Sequence, residues 1–264
     1  MIDTHCHLTD PRLQSQLAGV LTRAAANGVT RMITIGTDFS DAQAAIALCR
    51  RLSNVRCVVG VHPNYSQNVE ISDLPNLREI QNDPSVVALG EMGLDYFHQH
   101  AQREKQHQVF EFQLGLATEL RRPVVIHSRE AIDDTVAHLR NFPAVRAVFH
   151  CFTGTREEAT RILDAGYLLG FDGPITYKKN DALREVVAMT PTDRILVETD
   201  SPYLTPEPMR KQKVNEPALV KHVAEMVGQV KGWTLDKVDE VTTLNAESFF
   251  GWRGPDKATS EELK

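Results

Sequence analysis

Residues 86–127 read VVALGEMGLDYFHQHAQREKQHQVFEFQLGLATELRRPVVIH, and this stretch decides the fold. It opens on an apolar run, VVALGE (86–91), and passes through an amphipathic segment, AQREKQHQVFEFQLGLATELRR (101–122). It closes on a second apolar run, PVVIH (123–127). A strand that is apolar at nearly every position is covered on both faces, whereas strict alternation marks one wet face. Such a strand–helix–strand unit belongs to a parallel sheet coated with helices. Working outward, the alternation fills the chain. Upstream lie MIDTH (1–5), RMITIG (31–36) and VRCVVGVH (55–62); downstream lie VRAVFH (145–150), YLLGF (167–171) and RILVETD (194–200). Helical patterns separate them, among them LQSQLAGVLTRAAANG (13–28), with Gly28 where a helix stops, and DALREVVAMT (181–190).

Eight such units predict an α/β fold, the closed (β/α)8 TIM barrel. A doubly wound open sheet is the alternative, but neither GxGxxG nor GxxxxGK[ST] follows any of the runs. The 264 residues match the ~250 that a barrel uses as one domain. After the eighth run comes a Pro-rich loop, SPYLTPEP (201–208), and then helical stretches at 215–231 and 234–250. The expectation is a single domain over 1–252, with a polar tail from Arg253 to Lys264, containing Pro255, that frays.

Composition excludes several classes. Hydrophobic residues at 42% and charged residues at 24% are ordinary for a globular chain and argue against disorder. The net charge of −6 rules out a broad cationic surface for nucleic acid. It leaves room for a local one, because metal ions supply positive charge where acidic side chains gather. No run approaches the ~18–20 apolar residues of a membrane span, and MIDTHCHLTD lacks the basic and apolar regions of a signal peptide. Cys6, Cys49, Cys57 and Cys151 form no CxxC pair. They fit a reduced cytoplasmic protein with no membrane partner better than a disulfide framework. Composition is silent on oligomeric state, and a monomer is the default expectation.

The chemistry is written at the ends of the runs. His5 closes the first, with His7 two residues on; His62, Glu91, His127, His150 and Asp200 close the third, fourth, fifth, sixth and eighth. In a parallel barrel these C-terminal ends converge on one rim, where such enzymes place their active sites. The i, i+2 spacing of His5 and His7 sets both imidazoles on one side of an extended strand, so the pair can grip one ion. Any single buried histidine is more often a satisfied core residue. A whole set of strand ends closing on His, Glu or Asp is harder to dismiss. Imidazole with carboxylate suits Zn²⁺, Mn²⁺ or Fe²⁺, while Mg²⁺ prefers oxygen and keeps waters. A carboxylate such as Glu91 can bridge two ions, and ions ~3.5–4 Å apart activate water for in-line displacement at phosphorus. Cys6 and Cys151, each beside a candidate ligand, read as small buried hydrophobes.

Seven motifs lie in one order: DTHCHL (3–8), GVHP (60–63), GEMGLDY (90–96), HSREA (127–131), HCFTG (150–154), ETDSPYL (198–204) and NEP (215–217). Together they resemble the TatD family of metal-dependent hydrolases, within the amidohydrolase-like barrel superfamily, over residues 1–250. Many members of that superfamily bridge their ions with a carboxylated lysine; here Glu91 stands at that place, which favours the TatD branch. The resemblance implies one metal site from His5, His7, Glu91 and Asp200, and a second from Glu91, His127 and His150. It further implies two divalent ions, Mg²⁺ or Mn²⁺ for activity with Zn²⁺ as an option. The implied reaction is hydrolysis of DNA phosphodiesters by a metal-activated water, exonucleolytic from the 3′ end, on single strands or frayed ends, with some RNA activity.

Roles for the remaining residues follow as expectations. Asp200 orients the water and takes its proton. His62 contacts phosphate or serves the leaving group, or it is a core or supporting histidine. Arg129 reaches a phosphate as a fork donor, or pairs with a rim carboxylate. Glu198, on the same side of its strand as Asp200, supports a ligand or a substrate-positioning group from behind. Asp95 and Tyr96, in the loop after Glu91, flank or stack on a terminal nucleotide, with core packing the rival reading for Tyr96. Lys178, Lys179, Arg210, Lys211 and Lys213 form a modest phosphate track or a solvated surface. Asn215 caps a helix, with Glu216 in its first turn. Two other functions stay open: hydrolysis of ester, lactone, amide or aminoacyl-tRNA linkages on the same metal centre, and a non-catalytic binding protein on a vestigial barrel.

Overall fold

A computed structural model describes residues 1–252. The tail expected at 253–264 lies outside the described residues. Eight strands follow one another: β1 (Ile2–Cys6), β2 (Arg31–Gly36), β3 (Val55–Val59), β4 (Val86–Asp95), β5 (Val124–Arg129), β6 (Ala147–Phe149), β7 (Leu168–Phe171) and β8 (Ile195–Val197). All neighbouring pairs are parallel, and the order in the sheet is the order in the chain. That order decides against the doubly wound alternative, which winds outward in both directions from a central strand. The seam between β8 and β1 is joined by a parallel bridge, Cys6 to Ser201, and by backbone bonds from Asp200 N to His5 O and His7 N to Ser201 O. Buried Asp3 reinforces it, accepting from Thr199 N at 2.9 Å and from Thr199 Oγ1 at 2.7 Å. The fold is the (β/α)8 barrel that the alternation of runs predicts.

The helices are α1 (Pro11–Gln14), α2 (Leu17–Ala26), α3 (Phe39–Arg51), α4 (Leu77–Ile80), α5 (Arg103–Leu120), α6 (Ile132–Arg140), α7 (Arg156–Asp164), α8 (Asp181–Met189), α9 (Val220–Lys231) and α10 (Leu235–Phe250). The strands read as unbroken apolar runs because alternate residues enter two separate cores. Met32, Cys57, Val59, Val124, Ile126, Phe149, Ile195 and Val197 pack outward against the helices. Ile33, Ile35, Val58, Val125, Val148 and Leu196 fill the lumen, joined by Phe249 and Phe250 from α10. The N-terminal ammonium donates to Gly28 O at 2.8 Å and pairs with Asp239 of α10 at 3.0 Å, which ties α10 to the start of β1.

Four local expectations need correction. The helix expected over 13–28 is broken into α1 and α2 at Ser15–Gln16. β4 does not end at Glu91 but runs on to Asp95. Asp95 is therefore held in the sheet rather than placed in a loop. The helix expected from 215 begins at Val220, after a 3-10 turn over Pro217–Leu219. Asn215 is accordingly no helix cap: its buried amide donates to Thr199 O at 2.8 Å and Tyr203 O at 2.6 Å, pinning the loop after β8. Glu216 instead forms a double ion pair with Arg23 of α2.

Candidate metal centre

The C-terminal ends of the strands bring the expected residues together: His5, Glu91 and His127 lie within strands, and the others just beyond them. β6 stops at Phe149 and β8 at Val197, so His150 and Asp200 lie just beyond them. Two irregularities in the ladder re-aim side chains toward the mouth, as bulges near active sites do. The β1–β2 register shifts between Asp3 and Cys6, around His5; the β4–β5 register shifts between Leu89 and Met92, around Glu91. Gly90 permits the second. Its φ of 137° is closed to most side chains, and a Cβ there would lie 2.5 Å from Val125 O. Asp200 and Cys151 adopt left-handed φ values of 52° and 45°, a strain that backbones store at functional ends of elements.

Glu91 organises the cluster. Its Oε2 lies 3.4 Å from His5 Nε2, while its Oε1 lies 2.6 Å from His150 Nε2 and 2.8 Å from His127 Nδ1. One carboxylate therefore presents one oxygen to each of two donor groups. On the Oε2 side, His7 Nε2 stands 3.2 Å and His5 Nε2 3.8 Å from Asp200 Oδ1. On the Oε1 side, His127 Nδ1 and His150 Nε2 are 3.3 Å apart. Charge follows this geometry. Burial alone would raise the Glu91 and Asp200 carboxyls, but the surrounding histidines hold both below their ordinary values. Burial pushes His5 down to about 4. Burial also opposes charge on His127, yet hydrogen bonds to Asp95 and Glu91 outweigh it and lift that imidazole to about 9.

Two carboxylates stand behind the cluster histidines and a third lies beside them. Asp95, fully buried, accepts from His127 Nε2 at 3.1 Å. It also accepts from the backbone N–H groups of Phe97 and His98 and from His98 Nδ1. A carboxylate behind an imidazole fixes the tautomer and turns the other nitrogen toward the ion; here that nitrogen is Nδ1, facing Glu91. Asp95 was expected to flank a nucleotide, and its burial assigns it to His127 instead. Glu198 stands 3.7 Å from His150 Nδ1 and accepts from Cys151 N at 2.6 Å and Thr4 Oγ1 at 3.2 Å. Burial keeps its carboxyl well above the ordinary value. Gly170 makes room for it, since a Cβ there would lie 2.5 Å from Glu198 Oε2. Asp172, just past β7, was not singled out from the sequence. It is buried with both oxygens unpartnered, and together with Cys151 and Asp200 it forms a further group of candidate ligand atoms. A lone Asp after an apolar run was the available signal.

His62 is buried beside the cluster, its Nε2 3.5 Å from Glu91 Oε1. Its Nδ1 accepts from Asn64 N at 3.0 Å, and burial pushes it down to about 3, so the ring is neutral with its proton on Nε2. A nitrogen that carries a proton donates rather than ligates. Arg129 is exposed, its guanidinium 5.1 Å over the Phe97 ring rather than on a carboxylate. Tyr96 is turned away from the cluster: its hydroxyl donates to Asp134 at 2.5 Å and contacts His107, and Arg103 covers its ring at 3.9 Å. Half-buried and with its hydroxyl held by Asp134 and His107, it does not face the cluster. Cys6 is buried and donates to Ile33 O. Lys178, Lys179, Arg210, Lys211 and Lys213 are exposed after β7 and β8, with Arg210 stacked 3.6 Å over Tyr177.

Comparison with known proteins decides the family. A family model described as TatD related DNase matches residues 2–251. This chain belongs to the TatD-related DNase family. Among its TatD-family relatives, a Bacillus subtilis protein named uncharacterized metal-dependent hydrolase YabD is 36% identical, covering 95% of this chain and 98% of its own. An Erwinia amylovora protein named 3′-5′ ssDNA/RNA exonuclease TatD is 36% identical, covering 95% of this chain and all of its own. The crystal structure of YjjV, a TatD homologue from Escherichia coli, superposes with a TM-score of 0.91 at 29% identity, covering 96% of this chain and 98% of that one.

The donor set of this TatD-family chain fits divalent ions. Both ring nitrogens of His5 and Nδ1 of His150 are buried without a hydrogen-bond partner. Orphaned buried polar atoms are costly unless another group satisfies them. His5 and His150 also stack face to face with centroids 3.9 Å apart, two electron-rich rings converging on one carboxylate. The His5–His7–Asp200 group places three candidate donor atoms within 4.8 Å of one another.

Proposed function

We propose that this chain hydrolyses phosphodiester bonds of DNA from the 3′ end of single strands, with some activity on RNA, using two divalent ions. His5, His7, Glu91 and Asp200 would hold one ion; Glu91, His127 and His150 would hold the other, with Mg²⁺ or Mn²⁺ for activity and Zn²⁺ as an option. The observation that carries the reading is the division of Glu91, with Oε2 toward His5 and Oε1 toward His127 and His150. Bridging asks this of a carboxylate. Relatives named as 3′-5′ ssDNA/RNA exonucleases support the substrate class.

Bound ions of this type lower the pKa of water and neutralise charge that grows at phosphorus. The chain supplies the rest. Asp200, ionised and partly open to the mouth, accepts the proton of the attacking water. Neutral His62 donates its Nε2 proton as a hydrogen bond to a phosphate oxygen; its depressed pKa suits a fixed donor and not a general acid. Asp95 keeps His127 turned inward, and Glu198 stands 3.7 Å behind His150. Arg129 at the rim and the cations after β7 and β8 attract the backbone beyond the scissile bond. No helix among the described residues is long and apolar enough to cross a membrane. Four free cysteines favour a reducing, cytoplasmic setting.

The test is end-labelled single-stranded DNA incubated with Mg²⁺ or Mn²⁺, beside EDTA and Asp200→Asn controls, with products resolved to the nucleotide. A ladder shortening from the 3′ end, lost in both controls, supports the reading. No cleavage by ion-loaded protein overturns it in favour of ester, lactone or aminoacyl-tRNA hydrolysis.

A further inference from the structure

The chain contains ten Phe, five Tyr and two Trp, and most are buried or half-buried. Among the described residues the exposed aromatics are Tyr65, Phe97 and Tyr203, at 42%, 52% and 47%. All three stand on the loops that follow β3, β4 and β8, at the end of the barrel that carries the metal-ligand cluster. Two of them touch a cluster histidine directly, and Phe97 reaches His127 through His98 and Asp95. Tyr203 meets His7 edge-on, with centroids 5.9 Å apart and planes at 80°; Tyr65 meets His62 at 6.1 Å and 67°. Phe97 packs edge-on against His98, which bonds Asp95, which holds His127. Two of these rings are backed by guanidinium groups, Tyr203 by Arg12 at 4.5 Å and Phe97 by Arg129 at 5.1 Å.

Exposed aromatic rings are disfavoured in water, and their gathering around one mouth marks a binding surface. A ring with an Arg on one face and solvent on the other offers its open face to a flat partner, and every nucleobase has a π-face. We propose that Tyr65, Phe97 and Tyr203 form a base-stacking collar around the metal-ligand cluster that grips unpaired nucleotides of single-stranded nucleic acid. This rests on the phosphodiesterase reading and names the residues that grip its single-stranded substrate. In a duplex each base is already stacked on its neighbours, so the collar selects unpaired strands. Stacking uses the ring and no base edge, so the grip is tolerant of sequence. Arg12 is itself paired with Asp10, at 2.8 Å, so its part is to stiffen the Tyr203 ring rather than to offer a free charge.

The test compares oligothymidylate with an abasic oligomer of the same length and phosphates, both blocked at the 3′ end with phosphorothioate linkages. Binding to ion-loaded protein is read by fluorescence anisotropy. Wild type is expected to bind oligothymidylate at least about tenfold more tightly than the abasic strand. Tyr203→Ala and Phe97→Ala are each expected to weaken the base-containing strand about tenfold, or ~1.4 kcal/mol, while leaving abasic binding in place. Tyr203→Phe keeps the ring and restores the affinity. Equal loss on both strands, equal binding of both by wild type, or binding of neither overturns the collar. Cleavage of unblocked oligomers is scored separately, so base-selective binding without cleavage sinks the phosphodiesterase reading alone.

Discussion

Replacing Asp95 with asparagine keeps the volume and removes one charge, and its effect can be worked from five hydrogen bonds. Oδ1 accepts from the backbone of Phe97 at 3.0 Å and His98 at 2.8 Å; Oδ2 accepts from His127 Nε2 at 3.1 Å, His98 Nδ1 at 2.8 Å and Asn64 Nδ2 at 3.3 Å. The two backbone donors are fixed by the chain, so the asparagine carbonyl takes the Oδ1 place and its NH₂ takes that of Oδ2. His127 Nε2 then faces a donor, and the favoured tautomer moves its proton to Nδ1, the nitrogen 2.8 Å from Glu91. The ion-facing atom loses its free lone pair. Loss of a carboxylate behind a ligand histidine costs about 10–100-fold in metal affinity, which is ~1.4–2.7 kcal/mol. The loss should fall on the ion held by His127 and spare the His5–His7–Asp200 group, which Asp95 does not touch. Calorimetric titration of EDTA-stripped protein with Mn²⁺ or Zn²⁺ reads both affinities. Running it in two buffers of different ionisation enthalpy also reads the protons released. His127 is raised to about 9 by Asp95 and Glu91 against its burial, so at pH 7 wild type must expel a proton from it to bind. The variant should release less of one. Unchanged second-ion affinity together with unchanged proton release refutes the assignment of Asp95 to His127.

Three further outcomes are expected. Asp200→Asn should abolish turnover with a Tm close to wild type, because the amide oxygen still accepts from His7; a near-normal rate removes Asp200 from the proton-transfer step. In ion-free protein, His127 stabilises the fold fully below its unfolded value of 6.5, and that contribution is lost as pH rises through about 9. Thermal melts in EDTA between pH 7 and 9 should therefore show falling Tm, with a smaller fall in His127→Gln; parallel slopes contradict this. Gly170→Ala would set a Cβ 2.5 Å from Glu198 Oε2. The overpacking should cost about 1–3 kcal/mol and weaken the ion beside His150, and an unchanged Tm would show that Glu198 has room to move.

The barrel was legible because continuous apolar runs record burial on both faces. Ile33 and Met32, or Val125 and Val124, are neighbours in sequence that enter different cores, and both cores demand apolar side chains. The gathering of the candidate ligands was legible because strand ends in a parallel barrel share a rim, so His127 and His150 needed no contact map to be placed together. The cis-acting local signals were weaker guides. Nothing in GEMGLDY says that β4 runs past a bulge to Asp95, since a bulge is set by the partner strand and by the 2.5 Å approach of Gly90 to Val125 O. Asn215 looked like a helix cap because caps and loop anchors use the same short amide, and the choice between them depends on Thr199 O and Tyr203 O being within reach.

By itself, then, the sequence determined the number and direction of the strands and the residue types at their ends, because burial and periodicity are properties of each segment alone. Only the tertiary structure decided which nitrogen of His127 faces the cluster, that Tyr96 is turned away while Phe97 is not, and that Glu91 splits its oxygens between two groups. Those are matters of hydrogen bonding between residues 30 to 190 positions apart along the chain, as in Asp95 with His127 or His7 with Asp200. Tautomer and orientation are fixed by such partners, and no single segment carries them.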